Sequence, residues 1–395
     1  MNSSDQKQRL RRNIRLAYLY VFLSSFSFAA PISTLLIGKI TGSVLQVAQI
    51  FVIMTISSAL LEVPAGIFAD LFNRRITLIF AETLHVAAMV ILAFSQDFSH
   101  LIIFAIVSAA ANALRSGTVE SLVYDTVKQV GDEPSYKRII GRLYTLNSTA
   151  LGIASLLGGL LAASSLVTPV WWTIPVFIAA IIVTILFTEP ASADEHTKPN
   201  PFKHTHQAWR IISRNQQLLI ISVITVLLSS FGQPIFQTSQ LFYQAKDIPV
   251  AFFGILFFLV FAFTSAGSLL ADRIAARLGD KYTLLGATML SAIAIVTATA
   301  VGGYFAGLLL AVASFGHGLR MPVMSHLINR DSSSSHRTTI LSLNNLAGSL
   351  GFAFCALILG YVSDIRGIVF GIALLGILHF AIAALQLKLR EQKIA

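Results

Sequence analysis

Leu23-Ser-Ser-Phe26 lies inside the first long apolar run of this chain, and Leu228-Ser-Ser-Phe231 lies inside the seventh, 205 residues later. A proline follows each, Pro31 and Pro234. The correspondence continues in order. Ala69-Asp70 ends the second run and Ala271-Asp272 the eighth; Leu114-Arg115 sits in the fourth and Leu319-Arg320 in the tenth; Asn147 in the fifth answers Asn344 in the eleventh. These three pairs are offset by 202, 205 and 197 residues. Chance explains one such pair but not an ordered series, and one duplication with small insertions and deletions explains them all. The expectation is an all-α membrane protein of twelve spans in two parallel, pseudo-symmetric halves of six, 1–187 and 218–395, joined by a cytoplasmic linker at 188–217. Parallel repeats of this kind place a binding site between the halves near the membrane midplane, which suits alternating access.

Composition explains why the runs are spans. The chain is 55% hydrophobic and only 12% charged, with a mean hydropathy of +0.75. A soluble domain carries about 25% charged residues. The apolar blocks run to about 20 residues, the length of a membrane helix, and lipid offers the backbone no hydrogen bonds, so each block should be helical. The spans are predicted near Leu16–Ile37, Val44–Ala69, Ile76–Phe94, Leu101–Tyr124, Leu143–Ala163 and Val170–Phe187. The second set lies near Leu218–Phe242, Val250–Ala271, Tyr282–Val301, Tyr304–Ile328, Thr338–Leu359 and Ile368–Leu387. The basic start, Arg9 to Arg15, resembles a secretory leader, but the run after it exceeds a leader core of about 7–15 residues and reads as the first span.

Charge sets the orientation. Of 28 Lys and Arg, 23 fall on the two ends of the chain and on alternate loops. Only Lys39, Lys246 and Arg366 fall on the opposite loops, and Arg115 and Arg320 fall inside spans. Basic loops stay cytoplasmic, so both termini are expected there, in the cell membrane. The net charge of +10 is then topology, not a nucleic-acid site. The single cysteine, Cys355, lies in an apolar run and reads as a packed small hydrophobe. His196, His204 and His206 in the linker have no metal-site spacing, and neither a metal nor a cofactor is expected.

After span two the chain reads Gly66-Ile-Phe-Ala-Asp70-Leu-Phe-Asn-Arg74-Arg75. This resembles the signature loop of the major facilitator superfamily: a Gly, an Asp four residues on, then Arg-x-Gly-Arg-Arg/Lys. Leu71 replaces the first Arg and Asn73 the Gly, and Asn tolerates a left-handed backbone. The resemblance implies a gate in which Asp70 caps a helix of the opposite half while Arg74 or Arg75 pairs with Asp125. Asp272 begins a looser second copy, Asp272-Arg273 with Arg277-Leu-Gly279-Asp-Lys281.

Ionisable groups inside spans are expensive and usually functional. Glu62, Glu82 and Glu120 fall there. Glu62 shares a helix face with Gly66 and Asp70. Arg115, in Asn112-Ala-Leu-Arg115-Ser-Gly117, resembles the span-four motif of the superfamily's bacterial drug/proton antiporters. A buried guanidinium needs an anion, and Glu62 or Glu120 is its expected partner. A carboxylate alternating between such a partner and a wet cavity suits proton coupling; a static ion pair is the bland alternative. Glu82 and His85 read as nearer the cytoplasmic end of span three, snorkelling or facing water. Gln233, Gln237 and Gln240 form one face of span seven and, with His317, Arg320, Asn344 and Asn345, are the expected substrate-binding groups. In span five Gly158-Gly159 keeps part of the antiporter pattern, while Ala154-Ser155 replaces its Gly-Pro.

No catalytic constellation is present. The expectation is a monomeric secondary transporter, not an enzyme, with a small-molecule substrate, protons and membrane lipid as its partners. Proton-coupled efflux of amphipathic or drug-like compounds is the leading reading. An importer or facilitator of a polar metabolite, and a non-transporting sensor on the same fold, are its rivals.

Overall fold

The computed structural model describes residues 3–190, 212–213, 215–331 and 337–389, without the side chains of 3–7, 70, 331, 337 and 338. Most of the linker predicted at 188–217, with its three histidines, lies outside the described residues, as does the side chain of Asp70.

Among the described residues the structure is helical throughout. The first group is α1 (Ser3–Ser25), α2 (Ser33–Thr41), α3 (Val44–Phe72), α4 (Arg74–Phe94), α5 (Phe98–Arg115), α6 (Thr118–Val130), α7 (Tyr136–Ala162) and α8 (Thr168–Ile185). The second is α9 (Gln216–Ala245), α10 (Phe253–Leu278), α11 (Asp280–Ala300), α12 (Gly303–Asp331), α13 (Arg337–Arg366) and α14 (Ile368–Gln386). Eleven helical stretches among these residues are long and apolar enough to cross a membrane, with α5 and α6 counted as one. The chain is a multi-pass membrane protein. Leu269 and Phe305, 80% and 74% exposed, show the consequence: large apolar side chains cover surface that lipid solvates and water would not.

The first predicted span, Leu16–Ile37, is not one helix. It leaves helical geometry between Ser25 and Ser33. Pro31 has no N–H and biases Ala30 away from helix. A break at membrane depth needs its freed groups satisfied, and the Ala29 N–H donates to Thr173 Oγ1 on α8 at 3.2 Å. Gly158 on α7 lies against the Phe28 carbonyl, where a Cβ would collide with backbone. In α9, by contrast, Pro234 stays inside a continuous helix. Gly117, at φ 71°, lets α5 pass into α6 through a left-handed residue that a side chain would strain.

The chain divides into two compact units, one drawn from 1–41, 50–196 and 250–255, the other from 42–49, 197–249 and 256–395. The core of the first includes Tyr20, Leu78, Leu122, Val123 and Ile139. That of the second includes Ile221, Leu284, Leu319, Leu327 and Ile382.

The repeat is visible inside the units. Asn73 precedes α4 at φ 67°, ψ 162°, and Gly279 precedes α11 at φ 80°, ψ 158°. Thr77 Oγ1 donates to the Asn73 carbonyl at 2.7 Å, and Thr283 Oγ1 to the Gly279 carbonyl at 2.8 Å. Every buried position of α4 (Thr77, Leu78, Ala81, Glu82, His85, Ala88, Leu92) has a buried counterpart in α11 206 residues later. Glu82 corresponds to Thr288 and His85 to Ser291.

Candidate functional site

The start of α4 is held by remote carboxylates. A helix leaves its first N–H groups without intrahelical partners and carries partial positive charge there. Asn73 Oδ1 accepts from the Ile76 N–H at 3.0 Å. Glu189 accepts from the Arg74 N–H at 3.0 Å and the Arg75 N–H at 2.9 Å. Buried Asn13 positions Glu189 by bonding both backbone groups of Thr188, at 2.7 and 2.9 Å. The Arg74 guanidinium forms an ion pair with Asp125 of α6, the partnership the signature loop implied. Arg75 is half-buried and Asp272 exposed. No ion pair reaches Asp272 among the described residues. At the start of α3, Asp364 accepts from Ser43 Oγ at 2.6 Å and the Val44 N–H at 2.7 Å, both within the second unit.

Beside Arg74, a cavity of about 640 Å³ in the first unit is lined by Glu62, Gly66, Arg74, Gly117, Ser121 and Glu189. The structure thus brings together Glu62 with part of the expected gate. It does not bring Glu62 to Arg115. Glu62 is exposed and Glu120 half-buried, Glu120 acting electrostatically on Tyr136. Arg115 turns the other way, its Nη1 donating to the Ser24 carbonyl at 3.3 Å. Its charge acts on Tyr20 and Glu82. Of the three intramembrane acids, Glu82 is the one within the field of Arg115, with no ion pair between them among the described residues.

Glu82 is the centre of a buried polar cluster. It is 0% exposed, as is Tyr20. The Tyr20 hydroxyl donates to Glu82 Oε1 at 2.6 Å. Glu82 Oε2 faces His85 Nδ1 at 3.5 Å, and His85 Nε2 faces Asn112 Oδ1 at 3.4 Å. Phe177 and Phe187 of α8 and its following turn close the site, 5.7 Å from the His85 ring and 6.1 Å from the Tyr20 ring. The expectation that Glu82 and His85 meet water is corrected: their α4 face packs inward with Leu78, Ala81 and Ala88. The Leu23-Ser-Ser-Phe26 repeat also gains a role. Ser24 supplies the carbonyl for Arg115, and Ser25 Oγ accepts from Asn147 Nδ2 at 2.7 Å.

In the second unit, Arg320 is 5% exposed and donates to Ser291 Oγ at 3.1 Å and the Ala287 carbonyl at 3.5 Å. His317, expected on the same face, is exposed. Asn344 is buried and Asn345 exposed; Gln240 is 4% exposed, Gln237 half-buried and Gln233 exposed. The amide stripe is thus graded along α9. Sequence reasoning missed His379, buried with Nδ1 at 2.8 Å from the Leu375 carbonyl, and Gln386, which donates to Thr288 Oγ1 at 2.9 Å. Both sit on the least polar span, where a lone polar side chain is itself the signal.

A sequence model of the Major Facilitator Superfamily matches residues 16–354 and 239–394. The chain belongs to the major facilitator superfamily. Within it, the chain is similar to YxaM of Bacillus subtilis (strain 168), described as an uncharacterized MFS-type transporter, at 21% identity over 82% of each chain. Among solved structures it is similar to the nucleoside transporter NupG (TM-score 0.78, 13% identity, 100% of each chain). It is also similar to a bacterial homologue of the human lysosomal transporter Spinster (0.75, 15%, 98% of this chain and 97% of that one), and to the POT family transporter PepTSo (0.68, 12%, 95% and 99%). At these identities the structural likenesses establish the superfamily fold alone.

Proposed function

We propose that this chain is a proton-coupled secondary transporter that exports small amphipathic or drug-like compounds by alternating access, in the cell membrane with both termini cytoplasmic. The observation that carries the coupling is a fully buried carboxyl, Glu82, within the field of a span-four arginine, Arg115, inside a membrane bundle. A buried charge costs stability unless it is well compensated, and ionisable groups at membrane depth mark ion pathways. Export follows from the likeness of Asn112-Ala-Leu-Arg115-Ser-Gly117 to the antiporter motif.

Import of a polar metabolite is a second reading. The graded Gln233, Gln237 and Gln240 stripe favours it, and so do neighbours described as a nucleoside transporter and a POT family peptide transporter. Proteoliposomes with an imposed pH gradient separate the two. Gradient-driven ethidium movement without uridine or dialanine uptake supports export, and the reverse supports import. No flux of any of the three, with intact folded protein, counts against both.

A further inference from the structure

We propose that Glu82 is the carboxyl that takes up and releases the coupled proton, with Tyr20, His85 and Arg115 as positioning residues; this rests on the proton-coupled reading above. From α1 comes the Tyr20 hydroxyl on Glu82 Oε1. From α4 comes His85, one turn on, facing Oε2. From α5 come Asn112, on the far side of His85, and the charge of Arg115. α8 presents Phe177 and no titratable side chain. On α6, Asp125 is taken by Arg74, and Glu120 acts on Tyr136. Arg74 begins α4, eight residues from Glu82 and roughly 12 Å away at 1.5 Å per residue.

One arrangement of the hydrogen bonds in this cluster makes room for a proton between Glu82 and His85. Tyr20 is the donor to Oε1. With Nε2–H directed at the Asn112 carbonyl oxygen, the neutral His85 ring turns a lone pair toward Oε2. Two acceptors facing each other in a site closed to bulk solvent are unfavourable. A proton between Nδ1 and Oε2 resolves the conflict. The step is the simplest available: H⁺ from the aqueous side adds to the Glu82 carboxylate as one O–H bond. The same bond breaks when the proton leaves. No electron pair moves elsewhere, and the net charge of the Glu82–His85–Arg115 group changes by one.

The second repeat argues against a purely structural purpose for Glu82. Arg320 stands 205 residues after Arg115 and is fully enclosed, yet its bonds go only to neutral oxygens, and no ion pair reaches it among the described residues. The positions matching Glu82 and His85 are Thr288 and Ser291. This bundle therefore holds a buried arginine without a carboxylate, so neutralising one is not by itself the reason for Glu82.

The test needs no substrate. The full-length chain in lipid is titrated with acid and followed by infrared difference spectroscopy of the carboxyl C=O stretch. The expected result is a buried-carboxyl band that grows as pH falls, is absent in Glu82→Gln, and persists in Glu62→Gln and Glu120→Gln. Tyr20→Phe, which keeps the ring, should move that band to higher frequency because Oε1 loses its donor. It reports on the site even if Glu82→Gln does not fold. A band unchanged in both Glu82→Gln and Tyr20→Phe overturns the assignment. So does the absence of any pH-dependent carboxyl band. Transport is read separately: wild-type flux of ethidium, uridine or dialanine indifferent to the pH gradient overturns the coupled reading, whatever the band does. Coupled wild-type flux that stays coupled in folded Glu82→Gln overturns the inference alone.

Discussion

Glu189 reaches back 115 residues along the chain to close the first turn of α4, its two oxygens accepting the Arg74 and Arg75 N–H groups at 3.0 and 2.9 Å. This joins the end of span six to the start of span three through a charge-assisted contact. Glu189→Ala should cost about 1 kcal/mol, the usual value of a helix cap. Glu189→Gln should cost less, because it keeps an acceptor and loses only the charge at the helix start. Thermal unfolding in one detergent checks both, and equal losses for Ala and Gln would contradict the cap.

Arg74 and Asp125 should behave as a coupled pair. The Asp125 side chain is 7% exposed, so its carboxylate is poorly solvated without the guanidinium. In a double-mutant cycle, Arg74→Ala and Asp125→Ala should be non-additive by about 1–2 kcal/mol. Additive losses would mean that the pair contributes nothing beyond its parts.

The two repeat arginines should respond differently to removal. Arg320→Met replaces a buried cation that has only neutral partners, and such replacements are often neutral or stabilising. Arg115→Met removes the arginine whose charge reaches buried Glu82. It should cost about 1–3 kcal/mol more than Arg320→Met. Unfolding midpoints of the two variants compared under one condition decide this, and a larger loss at Arg320 would reverse it.

Gly158 and Gly141 share α7 but not the same need. A Cβ at Gly158 would strike the Phe28 backbone at the break in span one, whereas a Cβ at Gly141 meets nothing within 4 Å. Gly158→Ala should therefore lower stability. Gly141→Ala should raise it by about 0.5–1 kcal/mol, the ordinary helical gain over glycine. Equal effects in unfolding assays would show that the break does not depend on close approach.

The loop between α4 and α5 offers a pH test outside the spans. Backbone hydrogen bonding from His100, joined by its ring and by the Ser99 N–H, holds the Asp97 carboxyl below its ordinary range. A depressed carboxylate stabilises the fold fully above its unfolded pKa, near 3.9, and loses that contribution as pH falls through the lower folded value. The stability gap between wild type and Asp97→Asn should be constant at neutral pH and shrink below about pH 4. A gap independent of pH would remove the carboxylate from the account.

How much was legible in advance depends on how local the property is. The Arg74–Asp125 pair was reachable because the resemblance of the signature loop to the superfamily's implied it. Glu189 was not, because nothing near it in the chain shows that Asn13 pins Thr188 beneath α4. Glu82 was misread because it lies eight residues from a basic loop, and depth along a helix does not reveal which way a side chain faces. Arg115 was expected to meet Glu62 or Glu120 and instead donates to the Ser24 carbonyl, and the left-handed Gly117 separates α5 from α6 just after it.

Span number, span order and the duplication were set by the linear sequence alone. Hydropathy over about 20 residues and the order of recurring residues do not depend on what packs against what. The partners of the intramembrane charges were decided by tertiary structure. Each helical residue turns its side chain about 100° from the last, so the tilt and rotation of neighbouring helices determine whether a carboxylate meets a tyrosine, an arginine or open space. Glu62 and Glu82 are alike in sequence character. Only the packing of α5, α6 and α8 against α4, with Tyr20 of α1 reaching across, enclosed one of them and left the other exposed.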